Sequence, residues 1–402
     1  MRLSSVRAKG YRTLNDVDWP IGALNVLIGP NGTGKSNLLS FLSLISESAK
    51  GNLERTVYSY GGMSQLLFDG QGDTLTASVS TFGENSYPAW CNYQLVLRRL
   101  GLSSGYVIES ETAEVPDTGT GMGVTTIVLR PIQPPDPLSV DLDRLSGKVM
   151  IQPKENEAVL SFPFLSDLKL ALLKGNLASW SIHHTIRTDP ASAIRQAAVA
   201  RRADTLDANC DNLVAVLHTH YTSDLQFRER IDSAMYAAFG DNYQEISFPP
   251  GAEQQVQLAI RWSSLKRPAV AATLSDGTLR FLAIITALSQ PNLPALIAID
   301  EPETGLHPTM MRIIAEYAAD AALRSQIIFT THSAAFLDAF DRQAPPQTTV
   351  VSMVDGQTVL KTVDAELLDR WLKDYSLGAL YRSRELENMP GAVATQPAET
   401  AK

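Results

Sequence analysis

Residues Gly29-Pro30-Asn31-Gly32-Thr33-Gly34-Lys35-Ser36 follow the pattern Gly-x-x-x-x-Gly-Lys-Ser. Glycines at these positions let the backbone wrap closely enough for its N–H groups to point at phosphate oxygens. A helix beginning near Lys35 would aim its positive end at the same place. Lys35 then reaches the outer phosphates of a nucleotide, and the Ser36 hydroxyl ligates Mg²⁺. Much later in the chain, Ala295-Leu296-Ile297-Ala298-Ile299 ends in Asp300 and Glu301. Two acids at the end of so apolar a run are costly without a cation beside them. The first suits a hydrated metal ion and the second a general base that polarises an attacking water.

Two further segments carry chemistry. Ser275-Asp276-Gly277-Thr278 begins 25 residues before Asp300 and combines a capping serine or aspartate with a glycine and a following helix, an arrangement that favours an anion. Gln326-Ile327-Ile328-Phe329-Thr330-Thr331-His332 sets one histidine just past a buried strand, on the edge expected for Asp300 and Glu301, where it can reach a terminal phosphate.

These groups need elements to hold them. Ala23–Ile28 is a short apolar run suited to a central buried strand, and Asn37–Ser48 carries Leu38, Leu39, Leu42 and Ile45 on one helical face. From Gly51 to about Leu160, short alternating segments such as 75–79, 93–97 and 126–129 predict an antiparallel sheet, broken by turn-rich stretches at 116–121 and 131–137. The stretch from Leu165 to about Ala238 reads as largely helical, with Asp224 or Ser223 capping its last helix. Gln255–Trp262 alternates as a strand. Helix, strand, helix and strand then follow over 278–330, an order that predicts parallel α/β structure. The end from Glu387 onward reads as small, polar and unstructured.

Composition narrows the function. The chain has 402 residues, 34 Lys and Arg against 43 Asp and Glu, and a formal net charge of −9. Its whole surface cannot coat nucleic acid, because each neutralised phosphate needs a facing cation. Arg98-Arg99, Arg201-Arg202 and Lys266-Arg267 are basic pairs best read as solvated surface. Two cysteines, Cys91 and Cys210, exclude a disulfide framework and a Cys-x-x-Cys metal site. An N-terminus without a signal-peptide core and the lack of a long apolar run predict a cytoplasmic protein with no membrane partner.

Taken together, Ser275–Arg280, Ile299–Pro308 and Thr330–Ser333 resemble the ATP-binding-cassette type of ATPase head, in its RecF/SMC/OLD-like branch of AAA-type ATPases, without a Toprim domain or a long coiled coil. The resemblance reaches Trp371–Gly378 and is strong over 1–45 and 268–380. The fold it implies is α/β: a P-loop NTPase of the ABC-ATPase head type with an antiparallel β-rich lobe and an inserted helical lobe. The expected division is 1–160 for the P-loop lobe, 161–253 for the insertion, 254–385 for the C-terminal ATPase lobe and 386–402 for a disordered tail.

The resemblance further implies ATP and Mg²⁺ as ligands and an ATP-dependent homodimer. Gly29, Pro30, Asn31, Gly32, Thr33, Gly34, Lys35, Ser36 and Asn37 of one subunit would bind the nucleotide, closed by Ser275 and Gly277 of the other. Ser36 and Asp300 would hold the metal, Glu301 would be the catalytic base, and His332 the switch histidine. Tyr11 or Arg12 would lie near the nucleotide. The Q-loop glutamine is open between Gln65 and Gln94.

Transport is disfavoured, since 240 positions separate Lys35 from Ser275 and a large lobe is inserted. A second catalytic centre is disfavoured too, because Glu366, Asp369 and Asp374 read as helix-surface charges. The expected function is ATP hydrolysis coupled to head dimerisation in DNA repair or defence against foreign DNA. The alternative is an ATP-gated regulatory subunit acting on a separately encoded effector without touching DNA.

Overall fold

The computed structural model describes residues 1–70, 72–83, 90–101, 104–116, 124–130, 154–162, 168–252 and 254–393. The expected loop at 131–137 and most of that at 116–121 lie outside them. The chain opens with the hairpin β1 (Arg2–Tyr11) and β2 (Leu14–Pro20), then β3 (Leu24–Ile28) and helix α1 (Lys35–Lys50). Helices α2 (Leu53–Ser59) and α3 (Met63–Leu66) precede strands β4 (Thr74–Phe82), β5 (Trp90–Arg99), β6 (Tyr106–Pro116) and β7 (Val124–Arg130). Helix α4 (Leu168–Ala178) leads to β8 (Ser181–His183) and β9 (Ala198–Val199), followed by α5 (Leu213–Ser223), α6 (Leu225–Phe239) and β10 (Tyr243–Ser247). Strands β11 (Gln255–Val256), β12 (Ala259–Trp262) and β13 (Ala269–Val270) are short. The C-terminal part contains α7 (Asp276–Ser289), β14 (Leu296–Asp300), α8 (Pro308–Ala321), β15 (Gln326–Thr331) and α9 (Ala334–Leu337). Strands β16 (Gln347–Val354) and β17 (Gln357–Val363), helices α10 (Ala365–Trp371), α11 (Leu377–Arg382) and α12 (Glu385–Asn388), and strand β18 (Gly391–Val393) complete it.

Seven strands form the central sheet in the order β18-β17-β16-β3-β15-β14-β8, with β16, β3, β15, β14 and β8 parallel. Successive strand residues point to opposite faces, and both faces here are apolar. Val26 and Ile28, Ile297 and Ile299, Ile327 and Phe329 join one core with α5 to α8, while Leu27, Ala298 and Ile328 join the other with α1 and the antiparallel sheet. That is why each run reads as continuously hydrophobic. The antiparallel sheet runs β2-β1-β4-β5-β6-β7. Helix α1 ends at Gly51, whose left-handed φ of 83° lets its N–H and its neighbour's reach back to the last turn.

Several expectations change. The antiparallel sheet begins with the first hairpin rather than at Gly51, and residues 53–59 and 63–66 are helical. Among the described residues of 161–253 the α-helices are α4, α5 and α6, and β8 makes the segment the edge of the central sheet. Helices α5 and α6 share the core of α7 and α8, while α4 joins the core of α1, and none of the three stands apart. The run Gln255–Trp262 is two strands, because β11 pairs with β9 and β12 with β10. The tail does not begin at 386: Leu386 is fully buried and β18 pairs with β17.

One side chain ties the sheets together. Leu3 N–H of β1 donates to Gln326 Oε1 at 2.6 Å, and Gln326 Nε2 donates to the carbonyls of Leu3 and Gly22, each at 3.0 Å. The buried amide thus behaves like a short piece of strand. Gln326→Leu would leave these backbone groups without partners, and we expect a loss of about 2–4 kcal/mol, read as a lower urea midpoint with unchanged slope. An unmoved midpoint would remove this bridge from the account.

Candidate functional site

The register of three strands builds the site. Ile28 of β3 pairs with Thr331 of β15, and Thr330 of β15 pairs with Asp300 of β14. The residues that follow each strand therefore emerge on one sheet edge: the glycine loop after β3, His332 after β15, and Glu301 after β14. Ligand sites in open parallel sheets lie at such carboxyl ends.

Gly34 ends the loop with φ of 101°, and a Cβ there would lie 2.0 Å from Thr358 Oγ1, so only glycine fits. Helix α1 has no side-chain cap and no acid in its first turn, which leaves its positive end available to an anion. Lys35 Nζ donates to the carbonyls of Gly29 at 2.6 Å and Pro30 at 2.9 Å. Burial pushes this ammonium below its ordinary range, against the pull of Glu301, Asp300 and Glu303. Thr33 bonds back to Pro30, while Asn31, Gly32 and Ser36 are exposed.

Ser36 Oγ donates to Asp300 Oδ2 at 2.9 Å, and Thr330 Oγ1 donates to Asp300 Oδ1. Glu301 takes a left-handed φ of 45°, uncommon for a residue with a side chain, with its N–H on the Thr330 carbonyl at 3.1 Å. Glu301 Oε1 lies 3.0 Å from His332 Nδ1. A hydroxyl and a carboxylate, both hard oxygen donors meeting beside an uncapped helix, suit Mg²⁺ completed by phosphate and water. Among the described residues no group of three or more His, Cys, Asp or Glu could hold a metal unaided.

Two members escaped the sequence reading of single motifs. Glu303 accepts from Thr331 Oγ1 at 2.5 Å, its Oε2 is buried without a partner, and burial raises its carboxyl above the ordinary range. His184 follows β8, where His183 pairs with Ile299, and so stands beside Asp300 on the same edge; its Nε2 lies 3.1 Å from Ser43 Oγ. Burial lowers its imidazole pKa, with Asp300 opposing. Only the pairing of β8 could have revealed it.

Other expected residues fall elsewhere. Tyr11 is fully buried, edge-on to Phe41 at 5.2 Å, and is a core residue rather than a ligand contact. Arg12 is half-buried near the site, 4.9 Å over the Tyr60 ring and 3.3 Å from Asn37 Oδ1, and its charge helps lower the His184 imidazole pKa. Asn37 itself donates to Thr13 at 2.8 Å and serves the β1–β2 turn. Gln65 lines an open cavity of about 550 Å³ with Arg12 and Thr13, whereas Gln94 bonds Ser78 within the antiparallel sheet.

Ser275 is exposed and caps α7, accepting from Thr278 N–H at 3.1 Å. A Cβ on Gly277 would lie 2.7 Å from the Gly305 carbonyl, so this glycine is required for the close approach of two loops. The contacts of Ser275 and Gly277 run to these neighbours and not to the glycine loop.

Fold and site define an ATPase head of the ABC type, of RecF/SMC/OLD kind. Residues 24–86 and 172–338, more than half of the chain, match the family described as "AAA domain, putative AbiEii toxin, Type IV TA system", and the chain belongs to it. An OLD nuclease of Thermus scotoductus is 40% identical over 43 residues, which span 11% of this chain and 8% of that protein. An SMC head bound to the C-winged helix domain of ScpA superposes with a TM-score of 0.58 at 11% identity, covering 91% of this chain and 99% of that one. An SMC head with an extended coiled coil bound to the C-terminal domain of ScpA, from Pyrococcus furiosus, gives 0.52 at 11% identity, covering 93% and 99%. An SMC head with a coiled coil and joint, from Pyrococcus yayanosii, gives 0.51 at 10% identity with the same coverage. At such identities the likeness is one of fold.

The carboxyl of Glu303 yields a pH prediction. Its folded pKa lies above the ordinary 4.5, so the folded state binds the proton more tightly than the unfolded one and loses stability as pH rises. Glu303→Gln removes that cost. We expect the nucleotide-free variant to melt above the parent at neutral pH, with the difference shrinking as pH falls towards 4.5. A gap that stays constant across the range would contradict it.

Proposed function

We propose that this chain binds and hydrolyses ATP, and that two copies close around the nucleotides as a sandwich. The observation that carries the reading is the convergence of Lys35, Ser36, Asp300, Glu301 and His332 on one sheet edge, with Ser36 Oγ 2.9 Å from Asp300 and His332 3.0 Å from Glu301. In this reading Gly29 to Ser36 and the first turn of α1 hold the phosphates, and Ser36 and Asp300 hold Mg²⁺. Bound there, the metal neutralises charge on the outer phosphates. Glu301 accepts the proton of the attacking water, and His332 orients Glu301 and donates a hydrogen bond towards the phosphate that leaves. Lys35 gives up its two loop carbonyls to meet the phosphates.

Ser275 is exposed at the start of α7, which it caps ahead of Asp276, and makes no contact with the chain's own glycine loop. That placement supports its use on the nucleotide of a partner copy. The family and the OLD nuclease relative support a role in DNA maintenance or defence. A second reading, ATP-gated control of an effector protein without direct DNA contact, is favoured by three of the six cations in the basic pairs: Arg98 pairs with Glu109 at 3.2 Å, Arg99 with Asp73 at 3.0 Å and Arg202 with Asp204 at 2.9 Å. Cations so engaged neutralise few phosphates.

Lys35→Ala is expected to weaken ATP binding at least about a hundredfold, as removal of a charge-assisted contact to two phosphates implies; calorimetry showing parental affinity would refute the phosphate site. Glu301→Gln should keep ATP binding and lower kcat by about a hundredfold or more, the usual range for a lost general base. Normal turnover would refute its role. Hydrolysis measured with duplex and single-stranded DNA at several salt concentrations separates the two readings: stimulation that fades with salt supports DNA, and none supports the effector.

A further inference from the structure

Arg195 lies far from the signature segment in sequence and is almost wholly enclosed by it. Its side chain is 9% exposed. Nη1 donates to the carbonyls of Leu274 at 2.7 Å, Ala271 at 3.2 Å and Ala272 at 3.3 Å, and Nη2 to Asp276 Oδ1 at 2.5 Å. On the other side Nε donates to Thr188 at 2.6 Å, which anchors the guanidinium in its own loop. One planar group thus holds the backbone before Ser275 and the carboxylate of Asp276 after it. The cap of α7 restrains only Ser275 and Thr278, and Gly277 only touches Gly305. Upstream of Ser275 a short 3₁₀ turn, Ala271–Thr273, follows β13; the Ala271 N–H on the Leu258 carbonyl at 2.8 Å fixes where the turn starts, and Arg195 holds the carbonyls that lead from it to Ser275.

The loop that carries Arg195 is anchored in turn. It leaves β8, whose register is set by β14, and the Ile186 carbonyl accepts from Arg280 of α7 at 3.3 Å while the other arm of Arg280 reaches the Thr304 carbonyl at 3.1 Å. The sheet edge that bears Asp300 therefore fixes where Arg195 stands.

We propose that Arg195 is the positioning residue of the signature segment, setting where Ser275 and Gly277 are presented to the nucleotide of a second copy of this chain. The inference rests on the sandwich reading above. It assigns Arg195 no contact with ATP in either subunit. The geometry requires arginine in particular, since a lysine offers one nitrogen where three, spread over a rigid fork, are used.

The test uses the full chain with ATP and Mg²⁺. Arg195→Ala should bind ATP within about twofold of the parent, yet dimerise and hydrolyse at least about tenfold less well, the scale of several lost charge-assisted hydrogen bonds. Arg195→Lys should recover only part of this. Mixing decides the mechanism. Paired with Lys35→Ala, an Arg195→Ala subunit contributes an intact phosphate loop and receives an intact signature, so the mixture should hydrolyse ATP faster than either variant alone. Ser275→Arg mixed with Lys35→Ala is the reference.

Parental hydrolysis by Arg195→Ala, loss of its ATP binding, or a silent mixture beside an active reference would each overturn the role of Arg195 and leave the sandwich standing. A silent reference would overturn the sandwich itself, and the proposal with it. If the alanine variant does not fold, Arg195→Lys takes its place in the same mixtures and the same outcomes decide.

Discussion

The hydrogen-bond register of the parallel strands β3, β15 and β14 is the constraint on which the site depends. Side chains alternate along a strand, so a slip of one residue would turn Asp300 away from Ser36 and bury the wrong face of each strand. Apolar contacts on both faces oppose such a slip: Ile297, Ile299 and Phe329 press against one core, Ala298 and Ile328 against the other. Chemistry at the edge is held by hydrophobic packing inside.

The edge is electrostatically expensive. Lys35 and Glu303 are both largely buried, and burial drives each towards its neutral form, the ammonium downward and the carboxyl upward. Such opposed shifts are frequent at functional sites. The same crowding explains the left-handed backbone of Glu301, which turns its side chain onto His332 immediately after the strand ends. Strain and desolvation here are offset by the cores on either side of the sheet.

Much of this was legible in the order of residues. The glycine loop, Asp300-Glu301 and His332 each follow an apolar run that could only be a buried strand, and the cap at Ser275 was visible as a serine before a helix. Tyr11 misled, because an aromatic beside Arg12 looks the same whether it faces a ligand or stacks on Phe41. Residues 161–253 misled as well: their helices suggested a separate lobe, and nothing in the short run Ser181–His183 announces that it pairs with β14. Consequently His184 and Arg195 went unassigned.

Local sequence determined the elements and the chemistry each could offer, since backbone preference, capping and apolar periodicity act within a few residues. It determined the phosphate loop, the acids and the central strands. Tertiary structure alone decided which loops meet: Gln326 joining two sheets, Gly277 against Gly305, and Arg195 around the carbonyls of 271–274. These contacts join residues between 28 and 323 positions apart, by hydrogen bonds and close approaches that exist only after the cores have formed.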